Sequence, residues 1–132
     1  MCLHISNKAR IKTARKDIYC LKKMELGYHG NYYSTVQYFR YPKTGYHKVK
    51  EIIINDKGYD ETRTVNIGIH SWVITRKNIR TAINDNDWYT ENYSNQCMVL
   101  CIIPKGAKYI EGLCSSYEKS YVSDQIQIIG KI

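Results

Sequence analysis

The stretch Val65-Asn66-Ile67-Gly68-Ile69-His70-Ser71-Trp72-Val73-Ile74 constrains this chain more than any other. β-Branched residues flank a polar centre, the pattern of a strand inside a sheet. Gly68 has no Cβ and so admits another backbone or a ligand at close range. His70 and Ser71 follow as neighbours, which on a strand places them on opposite faces. His70 therefore does not simply activate Ser71, although an imidazole here can orient a ribose or act as a general base. Packing accounts for the same pattern in another way, as a hydrogen-bonded histidine beside a buried Trp72.

The strand runs into the best helix signal in the chain. Thr75 is a cap, Arg76-Lys77-Asn78 a first turn, and Ile79, Ala82 and Ile83 one apolar stripe, closed by Asn84-Asp85-Asn86-Asp87. Elsewhere the signals are those of strands. Met98 to Ile103 is nearly all apolar, as in a strand covered on both faces, and Pro104 stops it before a Lys105-Gly106 turn. Ala107 to Ile110 pairs after that turn, and Gln125 to Ile129 alternates as a last strand. Ile18 to Leu21 is a first core strand, and residues 1–6 a short edge strand. Val36 to Tyr41 meets Pro42-Lys43-Thr44-Gly45, a type I turn with a glycine bulge, so Tyr46 to Ile54 is expected to return as its partner. Residues 27–31 and 84–96 read as loops. These elements predict one α+β domain over residues 1–132, mostly antiparallel strands with one main helix.

A chain of 132 residues buries a core without metals or disulfides. No apolar run approaches the roughly 20 residues that cross a bilayer, and Met1 to Ser6 carries no signal-like apolar segment. Five cysteines without a CxxC unit suit reduced thiols, so a cytoplasmic protein off the membrane is expected. Cys97 and Cys101 fall on one strand face and read as small inward hydrophobes. Gly27-Tyr28-His29, Gly45-Tyr46-His47 and Gly68-Ile69-His70 repeat a Gly-x-His unit, but two of the three lie beside turns, and no metal site is expected. The common phosphate-binding loops and the serine nucleophile elbow are absent.

The net charge of +8 favours anionic partners. Between residues 8 and 23 seven cations (Lys8, Arg10, Lys12, Arg15, Lys16, Lys22, Lys23) face only Asp17, so this span holds +6 of the +8. Its first part, residues 7–17, reads as a basic N-terminal segment. Thirteen tyrosines against one phenylalanine supply aromatic faces that carry a hydroxyl. With no recognised nucleic-acid motif beside that charge, nucleic-acid binding is expected to be weak and indifferent to sequence.

Ile102-Ile103-Pro104-Lys105-Gly106-Ala107-Lys108-Tyr109-Ile110 resembles a strand-turn-strand found late in ADP-ribosyltransferase-like domains, where a serine-bearing strand and a helix lie upstream, as Val65 to Ile83 does here. The likeness covers about the second half of the chain. Gly-Ile-His-Ser-Trp followed by Ile-Pro-Lys-Gly also resembles small proteins of phages and gut bacteria, which places the protein in a host cytoplasm if it is phage-encoded. The resemblance implies a cleft for NAD or another nucleotide. In it Ser71 matches the structural serine and His70 reaches the ribose. Where the family places its glutamate this chain has Ser123-Asp124-Gln125-Ile126-Gln127, so Glu111 and Asp124 are the acids on offer.

These readings combine into a non-catalytic or weakly catalytic binder of a nucleotide-like anion, such as an inhibitor or sponge of a nucleotide signal. Tyr19, Lys22, Gly68, His70, Trp72 and Lys105 are its candidate ligand-binding residues. A transferase using His70, Ser71, Glu111 and Asp124, and an inhibitor that binds a host protein through a tyrosine-rich face, are the alternatives.

Overall fold

The computed structural model describes residues 3–6, 8–26, 32–34, 40–41, 45–55, 63–80, 96–113 and 119–131. These form twelve strands: β1 (Leu3–Ile5), β2 (Lys12–Thr13), β3 (Ile18–Leu26), β4 (Tyr32–Ser34), β5 (Tyr46–Lys48), β6 (Ile53–Asn55), β7 (Arg63–Ile67), β8 (Ile69–Val73), β9 (Gln96–Ile103), β10 (Lys108–Leu113), β11 (Lys119–Ser123) and β12 (Gln125–Lys131). All belong to one sheet in the order β5-β12-β9-β3-β8-β11-β10-β1-β7-β6, with β2 also on β10 and β4 also on β3. Every pairing is antiparallel.

The expected α+β class is therefore wrong: the protein is nearly all-β, and a transferase-like α+β architecture falls with it. The only helix among the described residues is one short stretch, α1, over residues 76–80. Its local signals are sound. The Asn78 backbone N–H donates to Thr75 Oγ1 at 3.0 Å, as a cap requires. The one described member of the stripe, however, is not what it buries. Ile79 is exposed, whereas Asn78 is buried and its amide donates to the Val73 carbonyl at 2.7 Å. Ala82 and Ile83 lie outside the described residues, as do residues 27–31 and 84–95 of the two expected loops.

Two strands bend so sharply that each serves two places in the sheet. Residues 63–73 turn at Gly68, so that β7 pairs with β1 while β8 pairs with β11 and β3. Residues 119–131 turn at Asp124, so that β11 pairs with β10 and β8 while β12 pairs with β9 and β5. Strands that switch partners through a bend are how a single sheet turns a corner. The sheet thus curls into two rings. One runs β12-β9-β3-β8-β11 and closes through Asp124; the other runs β8-β11-β10-β1-β7 and closes through Gly68.

Each ring has a core. Cys20, Met24, Ile69, Val99, Cys101, Ile103 and Ile126 fill the first, and Leu3, Ile5, Val65, Ile110 and Val122 the second. The shared wall, β8 with β11, sends Ile69, Ser71 and Tyr121 to the first core and Val122 to the second, by the two-residue alternation of a strand. Full burial of each Leu, Ile or Val contributes about 1.5–3 kcal/mol. β9 is covered on both faces as expected, with Met98, Val99, Cys101, Ile102 and Ile103 all buried.

Other strand expectations need correction. β1 is not an edge strand, because it lies between β10 and β7. Tyr46 to Ile54 is not one returning strand: β5 pairs with β12 and β6 with β7. Most of Val36 to Tyr41 and of the Pro42 turn lies outside the described residues. The basic N-terminal segment is no free arm. β2 pairs with β10, Ala14 exchanges backbone hydrogen bonds with Gly106 and Ala107, and Arg63 donates to the Ser6 and Ala9 carbonyls. Lys8, Arg10, Lys12, Arg15 and Lys16 keep exposed side chains on this fixed backbone.

Candidate functional site: a lysine on the inner face

β3 sends Ile18, Cys20, Lys22 and Met24 to the inner face of the first ring, so a lysine occupies an apolar slot. The sheet explains how it is accommodated. β8 pairs with β3 only at Cys20 and Leu21, and β4 pairs from Met24 onward, which leaves a gap in the ladder beside Lys22. Lys22 Nζ reaches into that gap and donates to the His70 carbonyl at 2.6 Å. It also lies over the ring of Tyr41, 5.8 Å from the centroid. Tyr41 in turn meets His47 edge-on at 5.2 Å. His47 shares that inner face because its partner across β5 and β12 is the buried Ile126.

The electrostatics follow from burial. Loss of water around Lys22 pulls its ammonium down to about 8, so it is mostly charged at neutral pH but held at a cost. No carboxylate among the described residues offsets that cost. Burial, with the Lys22 charge second, pushes His70 down to about 4 and His47 below its ordinary value, so both imidazoles are neutral at pH 7. Burial raises the Cys20 thiol to about 11, and raises Cys101, its partner across the strands, further. Ser71 joins the same face. Its hydroxyl tempers the Cys20 shift slightly, yet its Oγ is buried without a properly formed hydrogen bond among the described residues. An ammonium with three donors and one acceptor among the described residues thus shares a face with a hydroxyl that lacks a well-formed hydrogen bond there.

Of the expected ligand-binding residues, the structure brings Lys22 to the His70 backbone, beside Ser71. The His70 ring points the other way, on the face of its rung partner Val122. Gly68 is the corner between β7 and β8. Trp72 is half-buried on β8 opposite Leu21 and Ser120. Tyr19 lies on the outer face of β3, and Lys105 is exposed in the turn after β9, its backbone N–H bound to Asp17 Oδ1.

The expected acids are elsewhere. Glu111 is exposed on a rung with Tyr121 and Ser71, on the opposite face of the wall from the His70 ring. It lines an open cleft of about 410 Å³ with His4, Ser6, Leu113, Lys119 and Ser120, a cleft that contains none of Lys22, His47 and His70. Asp124 is a corner residue whose Oδ1 accepts from the Lys108 backbone N–H at 2.9 Å. No three potential metal ligands converge among the described residues. No helix there is long and apolar enough to cross a membrane.

Tyr41 and His47 were not singled out as ligand-binding residues from the sequence. The Gly45-Tyr46-His47 unit marks His47, but only the β5–β12 register shows that it faces inward. Comparison of the chain with protein-family models, with curated proteins and with solved structures finds no match.

Proposed function

We propose that this protein is a binding module, not an enzyme, for a small nucleotide-like anion held at the Lys22 ammonium. The observation that carries this reading is the inward Lys22, which spends one donor on the His70 carbonyl and has no carboxylate beside it among the described residues. A charge kept in low dielectric without a counter-charge costs stability, and an anion placed there recovers that cost. The Ser71 hydroxyl, without a well-formed hydrogen bond among the described residues, offers a further one. Tyr41 and His47 supply aromatic faces, which suits a ligand carrying a ring as well as a phosphate.

Calorimetry with inorganic phosphate, ADP, ADP-ribose, NAD and cyclic dinucleotides tests the proposal. At least one member binds the parent, and Lys22→Met abolishes that binding while preserving the far-UV spectrum. No heat from any member at high micromolar concentration sinks the reading, as does undiminished binding by Lys22→Met.

A further inference from the structure

The face of the first ring turned away from its core carries an arrangement independent of Lys22. Tyr19 on β3 is the register partner of Ile102 on β9, Ile102 of Gln127 on β12, and Gln127 of Tyr46 on β5. Register partners point the same way, so these four side chains form one rung across four strands. Its ends are the most exposed large hydrophobic side chains among the described residues: Tyr19 is 56% and Tyr46 52% exposed. Between them lie Ile102, which is buried, and the half-buried Gln127. Three inter-strand spacings separate the two rings by about 14 Å. Lysine and arginine residues stand close along the chain to the strands of the rung. Lys48 stands two residues along β5 from Tyr46, Lys105 turns the chain at the end of β9, and Arg15 and Lys16 lead into β3, all exposed. Asp17, just before β3, and Asp124, just before β12, each already accept a backbone N–H.

We propose that this outer face binds single-stranded nucleic acid, with bases stacked on Tyr19 and Tyr46 and the backbone tracked by Lys48, Lys105, Arg15 and Lys16. A sheet face bearing spaced aromatics takes unstacked bases, because every base has a π-face that stacks on a ring. A duplex hides those faces. Gln127, between the tyrosines, has both a donor and an acceptor for a base edge. The cations supply the phosphate contacts from a surface of the sign a polyanion requires. This site does not rest on the Lys22 reading: Tyr19 and Lys22 lie on opposite faces of β3.

Fluorescence anisotropy with labelled 12-mers of oligo(dT) and oligo(rU), a duplex of equal length and a poly-glutamate peptide tests it at 50 and 150 mM salt. The parent binds the single strands at least tenfold more tightly than the duplex or the peptide. Tyr19→Leu and Tyr46→Leu each weaken that binding about tenfold, while Tyr19→Phe and Tyr46→Phe keep it. Lys48→Gln and Lys105→Gln each lower the slope of log affinity against log salt by about 0.7. Both tyrosines are exposed, so circular dichroism of these variants matches the parent. Equal affinity for duplex or peptide overturns the proposal, as does single-strand binding that the two leucine variants leave unchanged. Lys22→Met retains single-strand binding, so failure of one site is distinguishable from failure of the other.

Discussion

Gly68 is seated against Val122 so closely that a Cβ on the glycine would collide with Val122 Cγ1. Its φ of +150° is one that residues with side chains rarely adopt. Two constraints therefore act on one atom, at the bend where β7 becomes β8. Gly68→Ala is expected to cost about 3 kcal/mol, from backbone strain together with overpacking. The readout is a thermal midpoint lowered by on the order of 10 °C. Adding Val122→Ala removes the collision but not the strain, so the double variant recovers part of the loss. Independent, additive losses from the two substitutions would contradict this contact.

Lys22 sets a signature at alkaline pH. Its folded value, about 8, lies below the ordinary 10.5, so from pH 8 to 10.5 the unfolded chain binds more protons than the folded one. Stability from this group therefore rises with pH across that window, and the cost of the buried charge is present in full below it. The buried thiols and Tyr41, raised in the fold, act in the opposite direction above their ordinary values, so the parent alone does not isolate the effect. The informative quantity is Lys22→Met minus parent. That variant is expected to be more stable at pH 7 by on the order of 2 kcal/mol, an advantage that shrinks toward pH 10.5. Urea denaturation across pH 7 to 10.5 measures it.

His70 acts at the acid end. Its folded value of about 4 lies below the ordinary 6.5, so its contribution to stability is complete above pH 6.5 and is lost as pH falls toward 4. His47 shifts in the same direction and adds to the loss. Two-dimensional NMR of the imidazoles is expected to show the His70 ring neutral through pH 5. A midpoint near 6.5 would place that ring in water rather than against the second core.

The inner thiols are expected to be inert. Cys20 and Cys101 are fully buried, and burial holds both as protonated thiols at neutral pH, whereas the thiolate is the nucleophile. Iodoacetamide mapped by mass spectrometry labels them only after denaturation. Labelling in the native protein faster than global unfolding would show that the first core opens locally.

The sequence carried the apolar logic of β9, the Lys105-Gly106 turn and the sharing of one face by Cys97 and Cys101, because these follow from local alternation and turn chemistry. It did not carry the corners. Val65 to Ile74 reads as one strand, and only long-range pairing reveals that Gly68 divides it between two partners. Capping at Thr75 and the spacing of Ile79, Ala82 and Ile83 are local features, whereas the burial of Asn78 is set by where the chain leaves β8, since its amide reaches back to the Val73 carbonyl. Lys22 sat in view inside an inward alternation with Cys20 and Met24. The side chains around it come from β5, β8 and residue 41, and no spacing along the chain announces such a meeting.

The two bent strands also govern the order in which this chain can acquire structure. His4 pairs with Leu113, and β3 waits for β9, roughly 80 positions downstream. Apart from the local pairings β3–β4, β6–β7 and β10–β11, the rungs are long-range closures, which places folding among the slow β-topologies, in milliseconds to seconds. During synthesis β1 waits for β7, roughly sixty positions on, for its first partner and for β10 for its second. Because residues 63–73 and 119–131 each belong to both rings, neither ring closes alone. The two cores are therefore expected to form and unfold in one cooperative step.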